Sequence, residues 1–268
     1  MIATLTPDFI QHEPADTYHK KANEFLSSHA LGDFRKSPYL FQKKKLGLIA
    51  DEDRPAYVLG RAAHLLILEG RRAFNGGYAI GGPINPRTGN PFGSTTKAFQ
   101  EWAAAQGRPV LTHDQVYLIE QLASGVSMNS IATEFLSSGV AEGVVRGRYM
   151  DMACQIRMDW FAADRGLVDL KTCDDLTWFE SDARRYGYAH QLAFYRAVLK
   201  EVAGEQFPVH IIAIEKREPH RCGVWRIGDD VLDIAQRENE DAIERLNRCV
   251  EKDQWPTGYE SIRTFDYL

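Results

Sequence analysis

The chain has no long apolar run, no long basic tract, no internal repeat and only four cysteines, and each shortage removes a class of protein. No stretch approaches the roughly 20 apolar residues that a membrane-spanning helix requires. The start, Met-Ile-Ala-Thr-Leu-Thr-Pro with acids soon after, is unlike a signal peptide. A cytoplasmic protein without a membrane partner is expected. Cys154, Cys173, Cys222 and Cys249 stand singly, without the close pairing of a zinc ribbon or the run of a ferredoxin-type cluster. They read as reduced and mostly buried. A net charge of −5 argues against a simple groove binder of duplex nucleic acid, whose affinity comes chiefly from neutralising phosphates.

The basic residues are nevertheless grouped, at Lys20-Lys21, Lys43-Lys44-Lys45, Arg71-Arg72, Arg146 with Arg148, and Arg184-Arg185. Such groups fit either a solvated surface or a basic channel inside an acidic body. With 268 residues and 44% apolar content the chain can bury one large core and needs no second. Residues 1–17 read as a poorly ordered arm, and 18–268 as a single domain.

Helical patterning runs through 55–70, 94–106 and 113–137, the last opening on the capping box Thr112-His113-Asp114-Gln115. Between the first two lies a glycine- and proline-rich stretch, 76–93, whose Arg87 reads as DNA-facing, subunit-facing or simply surface. Later come a β-branched run at 209–214, a short strand at 223–227 and a polar amphipathic helix from about 229 to 252. An α/β fold follows, with a helical first part and a sheet flanked by helices.

The segment 154–161 alternates, with Ile156, Met158 and Trp160 on one face and Gln155, Arg157 and Asp159 on the other. Val168-Asp169-Leu170-Lys171 alternates likewise. The intervening Ala162-Ala163-Asp164-Arg165-Gly166 ends in a glycine suited to a left-handed loop residue, so the simplest hairpin pairs Phe161 with Leu167. That register sets Asp159 opposite Asp169. Cross-strand Cβ atoms on one face are roughly 5 Å apart, where two carboxylates repel each other or share a hard cation. Magnesium held by Asp159, Asp169 and the Leu170 carbonyl would polarise a phosphodiester, and Lys171 would steady the charge of its transition state.

The Asp … Asp-x-Lys hairpin, followed by Gln191-x-x-x-Tyr195, resembles the PD-(D/E)XK nuclease superfamily and its RecB-type branch. The segment 26–38, the helix Gly60-Arg61-Ala62-Ala63-His64 and the late Trp255-Pro256-Thr257-Gly258-Tyr259 are similar to the exonuclease VIII (RecE) nuclease domain and its phage relatives. The resemblance runs from about residue 18 to the C-terminus. It implies a PD-(D/E)XK core with a central mixed sheet, Asp159 and Asp169 as metal ligands, Lys171 as the catalytic lysine, and His64 as a further active-site ligand. Glu142 falls where relatives place a glutamate before the first core strand, and Glu134 competes for that role. The RecB-type branch whose iron–sulfur cluster needs three clustered late cysteines does not fit, since only Cys222 and Cys249 lie late.

Taken without the resemblance, His64 among Ala62, Ala63, Leu65 and Leu66 reads as a core or boundary histidine. Gln191 and Tyr195 lie one turn apart, with Tyr188 and Arg184 on the same stripe, so phosphate- or base-contacting groups would face one way. Arg157 shares the polar face of Asp159. Gly60, one turn before His64, would let a backbone or phosphate approach, or would serve helix packing. The expected activity is magnesium-dependent, with manganese possible, and releases nucleotides from duplex DNA ends. The resemblance further implies 5′-to-3′ digestion leaving a 3′ overhang, a ring of identical subunits with a tetramer favoured, and a single-strand annealing protein as partner. A structure-specific or restriction-like endonuclease on the same core, and a DNA-binding module without catalysis, are the alternatives.

Overall fold

The computed structural model describes residues 7–51, 55–264 and 266. The first part is helical: α1 (Ala15–Lys20), α2 (Ser28–Lys36), α3 (Pro38–Lys45) and α4 (Pro55–His64). Ser27 and Ser37 open α2 and α3 by accepting from the backbone N–H of Ala30 and Leu40, the ordinary service of a serine cap. At His64 the α-helix widens into a π-helical turn, Leu65–Glu69, before α5 (Gly70–Gly77). The patterned segment 55–70 is therefore three pieces. A π turn inserted in a helix often marks a functional position.

The loop region 76–93 is pinned by β1 (Ala79–Ile80), which pairs in parallel with β2 (Val110–Leu111), while Arg87 stays exposed. Between those strands lies α6 (Lys97–Ala105). The capping box at Thr112 is present and starts α7 (His113–Met128). The helix does not continue to 137: Asn129 leaves helical geometry and caps α8 (Ser130–Phe135) through Ala132 N–H at 3.0 Å. Its amide also donates to the Cys222 carbonyl at 2.8 Å, so a tertiary contact fixes the break.

Five strands form the main sheet in the order β3 (Val140–Tyr149), β4 (Met152–Ala162), β5 (Gly166–Cys173), β6 (Val209–Glu215) and β7 (Cys222–Arg226). Only β5 and β6 run parallel, which makes the sheet mixed. The crossover between them carries a 3₁₀ turn (Leu176–Trp178), α9 (Phe179–Tyr186) and α10 (Tyr188–Ala203), and α11 (Asp229–Lys252) follows β7. One core cluster joins α2, α3, α10 and α11 to one face of the sheet. A second joins α4, the π turn, α5, α7 and α8 to the other.

The first strand, β3, has no counterpart in the sequence reading, because Gly143, Gly147 and interspersed charges interrupt its alternation. Glu142 therefore lies within the sheet rather than ahead of it. The segment from Pro7 onward is also part of the fold: Ile10 is buried, and Gln11 exchanges backbone hydrogen bonds with Val144 at 2.8 and 2.9 Å. The disordered-arm expectation is corrected for residues 7–17; residues 1–6 lie outside the described residues.

Candidate active site

The hairpin register is Phe161 with Leu167, as its glycine loop dictates, and Gly166 takes φ +81° at the turn. Pairing stops at Trp160 with Val168, one step short of the two aspartates. In place of the next ladder bond, Asp159 Oδ2 accepts from the Leu170 backbone N–H at 2.8 Å. The two carboxylates are thus neighbours across a split in the sheet, not an ordinary cross-strand pair.

A second distortion lies on the other side of β4. Ala141 pairs with Trp160 and Gly143 with Met158, leaving Glu142 and Asp159 facing each other unpaired, and Glu142 has φ +54°. The alternation changes phase there. Ile156 and Met158 enter one core cluster, Trp160 the other, and Phe161 returns to the first. The expectation that Ile156, Met158 and Trp160 share a face is corrected at this point. Strain of this kind in a non-glycine residue collects at working sites.

His64, Glu142 and Asp159 converge, with ligand atoms all within 4.8 Å of one another, and His64 Nδ1 lies 3.5 Å from Asp159 Oδ2. Glu134, by contrast, is exposed and faces Arg165 at 3.6 Å. The competition between the two glutamates resolves to Glu142. Asp169 is 1% exposed and lies 2.7 Å from Lys171 Nζ through Oδ2, while its Oδ1 accepts from Gln191 Nε2 at 3.2 Å. Asp169 Oδ2 is therefore buried with the Lys171 ammonium as its ion-pair partner.

The electrostatics follow from this crowding. Burial and the nearby Asp159 push Glu142 up to about 8, against the opposing pull of Arg157. Burial likewise raises Asp169 to about 6, with Lys171 opposing and Asp159 adding to the shift. Burial works against the charge of Lys171, but Asp169 and Asp159 outweigh it and hold its pKa above the ordinary lysine value. Burial lowers His64, which keeps its ring neutral and its lone pair available. His64, Glu142 and Asp159 form a donor set that suits a divalent cation, with the buried Asp169 beside it.

The proposed nucleic-acid contacts separate into distinct positions. Arg157 is committed to Glu142 at 2.8 Å. Tyr188 is half-buried beneath Lys171, whose Nζ lies 4.9 Å from the ring centre. Tyr195 is buried one turn beyond Gln191 on α10 and does not face solvent. Arg184 does not share their stripe: Gly187, at φ +72°, ends α9 before α10 begins, and Arg184 is exposed on the earlier helix. Gly60 would place a Cβ 3.9 Å from Thr172 Oγ1, an ordinary contact, so close approach is not its reason. A second group, His29, Asp33 and Asp51, is already bridged by Lys44, which donates to both aspartates.

A family profile described as "PDDEXK-like domain of unknown function (DUF3799)" matches residues 27–266. The chain belongs to this PDDEXK-like family. Its fold is shared with a crystal structure named as a "putative exonuclease" from Eubacterium rectale, at TM-score 0.69 and 15% identity, over 96% of this chain and 97% of that one. LHK-Exo in complex with dAMP matches 72% of this chain and 90% of its own at 12% identity, but its TM-score of 0.31 carries no structural argument. No curated protein sequence matches. PDDEXK nucleases use divalent metals, and in this chain the split hairpin brings Asp159 beside the Asp169–Lys171 pair. No described helix is long and apolar enough to cross a membrane.

Proposed function

We propose that the protein is a divalent-metal-dependent exodeoxyribonuclease that degrades duplex DNA from an end. The carrying observation is the convergence of His64, Glu142 and Asp159 beside the Asp169–Lys171 pair. Asp159, Asp169, Glu142, His64 and the Leu170 carbonyl are the groups that would hold the cation. Magnesium bound there would supply Lewis acidity to a phosphate oxygen and acidify water, with manganese as a substitute.

The chain's own residues supply the rest. Lys171 keeps a positive charge where the phosphorane would develop, and its ammonium can orient the attacking water. Gln191 donates to Asp169 Oδ1, so the carboxylate is fixed in orientation before substrate arrives. The half-buried Tyr188 ring walls one side of Lys171 and shields its charge from water. Neutral His64 can accept, but not donate, at its unprotonated ring nitrogen.

The finer reading follows the resemblance to exonuclease VIII: 5′-to-3′ digestion of one strand, a 3′ overhang, and transfer of that overhang to a single-strand annealing protein in recombination. Retention on DNA despite a net charge of −5 would come from a closed ring of identical subunits, a tetramer by that resemblance. The decisive assay offers linear duplexes labelled at the 5′ or the 3′ end, together with closed circles, with and without magnesium. Magnesium-dependent loss of the 5′ label from linear DNA alone is expected. Cutting of circles would establish an endonuclease, and binding without turnover an inactive module.

A further inference from the structure

The helix α11 buries Leu232, Ala235, Ala242, Ile243 and Leu246 against the core and turns Arg245, Arg248 and Lys252 outward. These cations, at i, i+3 and i+7, lie on one stripe spanning about 10 Å at 1.5 Å per residue. Together with Arg35, Lys36 and Arg263 they line a cleft of about 770 Å³ between α2, α11 and the chain beyond it. Among the described residues no carboxylate lines this cleft. That is notable in a chain whose acids outnumber its lysines and arginines, 37 to 32.

The far wall is Pro256-Thr257-Gly258-Tyr259, which follows Trp255 and which the catalytic cluster does not use. Trp255 stacks on Phe41 with centroids 6.0 Å apart, and Tyr39 N–H donates to the Pro256 carbonyl at 3.1 Å. Glu260 turns inward to accept from Thr257 Oγ1 at 2.8 Å and Gly258 N–H at 3.0 Å. Its charge is spent on the turn. Tyr259 is left 73% exposed, with the Arg263 guanidinium 4.4 Å above its ring.

Counter-charges are sparse. Lys36 has Asp33 at 3.9 Å and Arg248 has Glu244 at 3.8 Å, both at the limit of an ion pair, and Arg245 and Lys252 have no ion-pair partner among the described residues. Glu238, Asp241 and Glu244 border an adjoining depression that shares Arg35, Arg245 and Arg248, but Glu238 is paired with His190 at 2.5 Å. Arg35 lies on the side of the cleft nearer the start of α10. Its Nη2 lies 3.5 Å from where a Cβ on Gly187 would stand, and Gly187 directly precedes Tyr188, the ring under Lys171.

We infer that this cleft binds the phosphate backbone of a single DNA strand on its way to or from the catalytic cluster, with Tyr259 stacked on a base. An elongated row of cations fits a chain of phosphates better than one small anion, and an exposed ring beside arginine is the usual platform for an unpaired base. A cleft of this volume holds a few nucleotides of one strand, not a duplex. The choice of DNA over another polyanion rests on the nuclease reading above.

The test measures anisotropy of a labelled 20-residue oligothymidylate in EDTA, where hydrolysis is silent. The combined Arg245→Ala, Arg248→Ala, Lys252→Ala variant is expected to bind at least about tenfold more weakly. Its log K against log salt should be shallower by about 2, at roughly 0.7 per lost phosphate contact on a single strand. Tyr259→Ala should cost about tenfold, and Arg245→Lys with Arg248→Lys should retain most affinity. Turnover of thymidine 5′-(p-nitrophenyl phosphate), which reaches only the catalytic cluster, should match wild type in all of these variants. Wild type that binds the oligomer but cleaves no DNA would sink the nuclease reading and leave the cleft standing. Unchanged affinity and salt slope in the triple variant would overturn the cleft assignment. So would equal displacement of the oligomer by oligoglutamate, or a change in oligomer mass in place of affinity, either of which would make the cleft a protein interface.

Discussion

Asp159 Oδ2 caps the Leu170 backbone N–H at 2.8 Å, in the gap where β4 and β5 cease to pair. The same carboxylate oxygen faces His64 Nδ1 at 3.5 Å. One side chain thus holds the split open and joins a helix on one face of the sheet to the Asp-x-Lys strand.

Replacing Asp159 or Asp169 by Asn, or Lys171 by Ala, is expected to lower hydrolysis by at least about a thousandfold, several kcal/mol, because each charge serves the cation or the transition state. The fold should survive. Asp169→Asn should raise the melting temperature of the metal-free protein at neutral pH, since burial disfavours the ionised carboxylate it removes. Steady-state rates and a thermal melt in EDTA check both statements. Rates within tenfold of wild type in either Asp variant would rule out the metal site.

His64→Ala and Gln191→Ala should reduce the rate far more than the affinity for DNA, since both side chains act on the catalytic carboxylates and neither is exposed. Single-turnover rates compared with binding in EDTA separate the two quantities. Equal losses in both would assign these residues to DNA binding.

Glu142 carries a pH signature. Its pKa rises from an ordinary 4.5 to about 8 in the folded, metal-free protein, so the folded state holds the proton more tightly than the unfolded one. Stability in EDTA should therefore fall as pH climbs from about 4.5 to about 8, and Glu142→Gln should flatten that slope. A cation must displace the same proton. Its affinity should accordingly rise toward pH 8, with proton release visible in calorimetry across buffers of different ionisation enthalpy. A pH-independent affinity would contradict this placement of Glu142.

Two glycines should behave oppositely. Gly60→Ala should leave activity intact and stabilise α4 by up to about 1 kcal/mol, because the added methyl meets only an ordinary contact at 3.9 Å. Gly166→Ala should cost about 3 kcal/mol or more, because φ is +81° and a Cβ would lie 2.1 Å from the Pro208 carbonyl oxygen. Denaturant unfolding of the two variants measures both.

The proposed ring predicts a multiple of the 30.3 kDa chain mass in light scattering, four by the nearer resemblance, and digestion that continues when unlabelled competitor DNA is added. Monomer mass with distributive digestion would remove the ring and leave the nuclease proposal intact.

Sequence alone determined the local geometry: the Phe161–Leu167 register from a five-residue loop ending in glycine, the capping box at Thr112, and the buried strand at 209–214. Each depends on neighbours a few residues away, and short-range sterics and hydrogen bonding settle them. The Asp … Asp-x-Lys spacing marked the candidate carboxylates and lysine for the same reason, since they sit on strands whose periodicity is legible, while His64 entered through the family resemblance alone. Tertiary structure decided the rest. Whether Glu142 or Glu134 reaches the cluster depended on a strand whose glycines hid its alternation. The break at Asn129 depended on a hydrogen bond to Cys222, 93 residues away. The departure of Arg184 from the Gln191 stripe came from one left-handed glycine between two helices. The split between Asp159 and Asp169 arises because β4 leaves β5 to stay paired with β3, a competition between partners that no local pattern encodes.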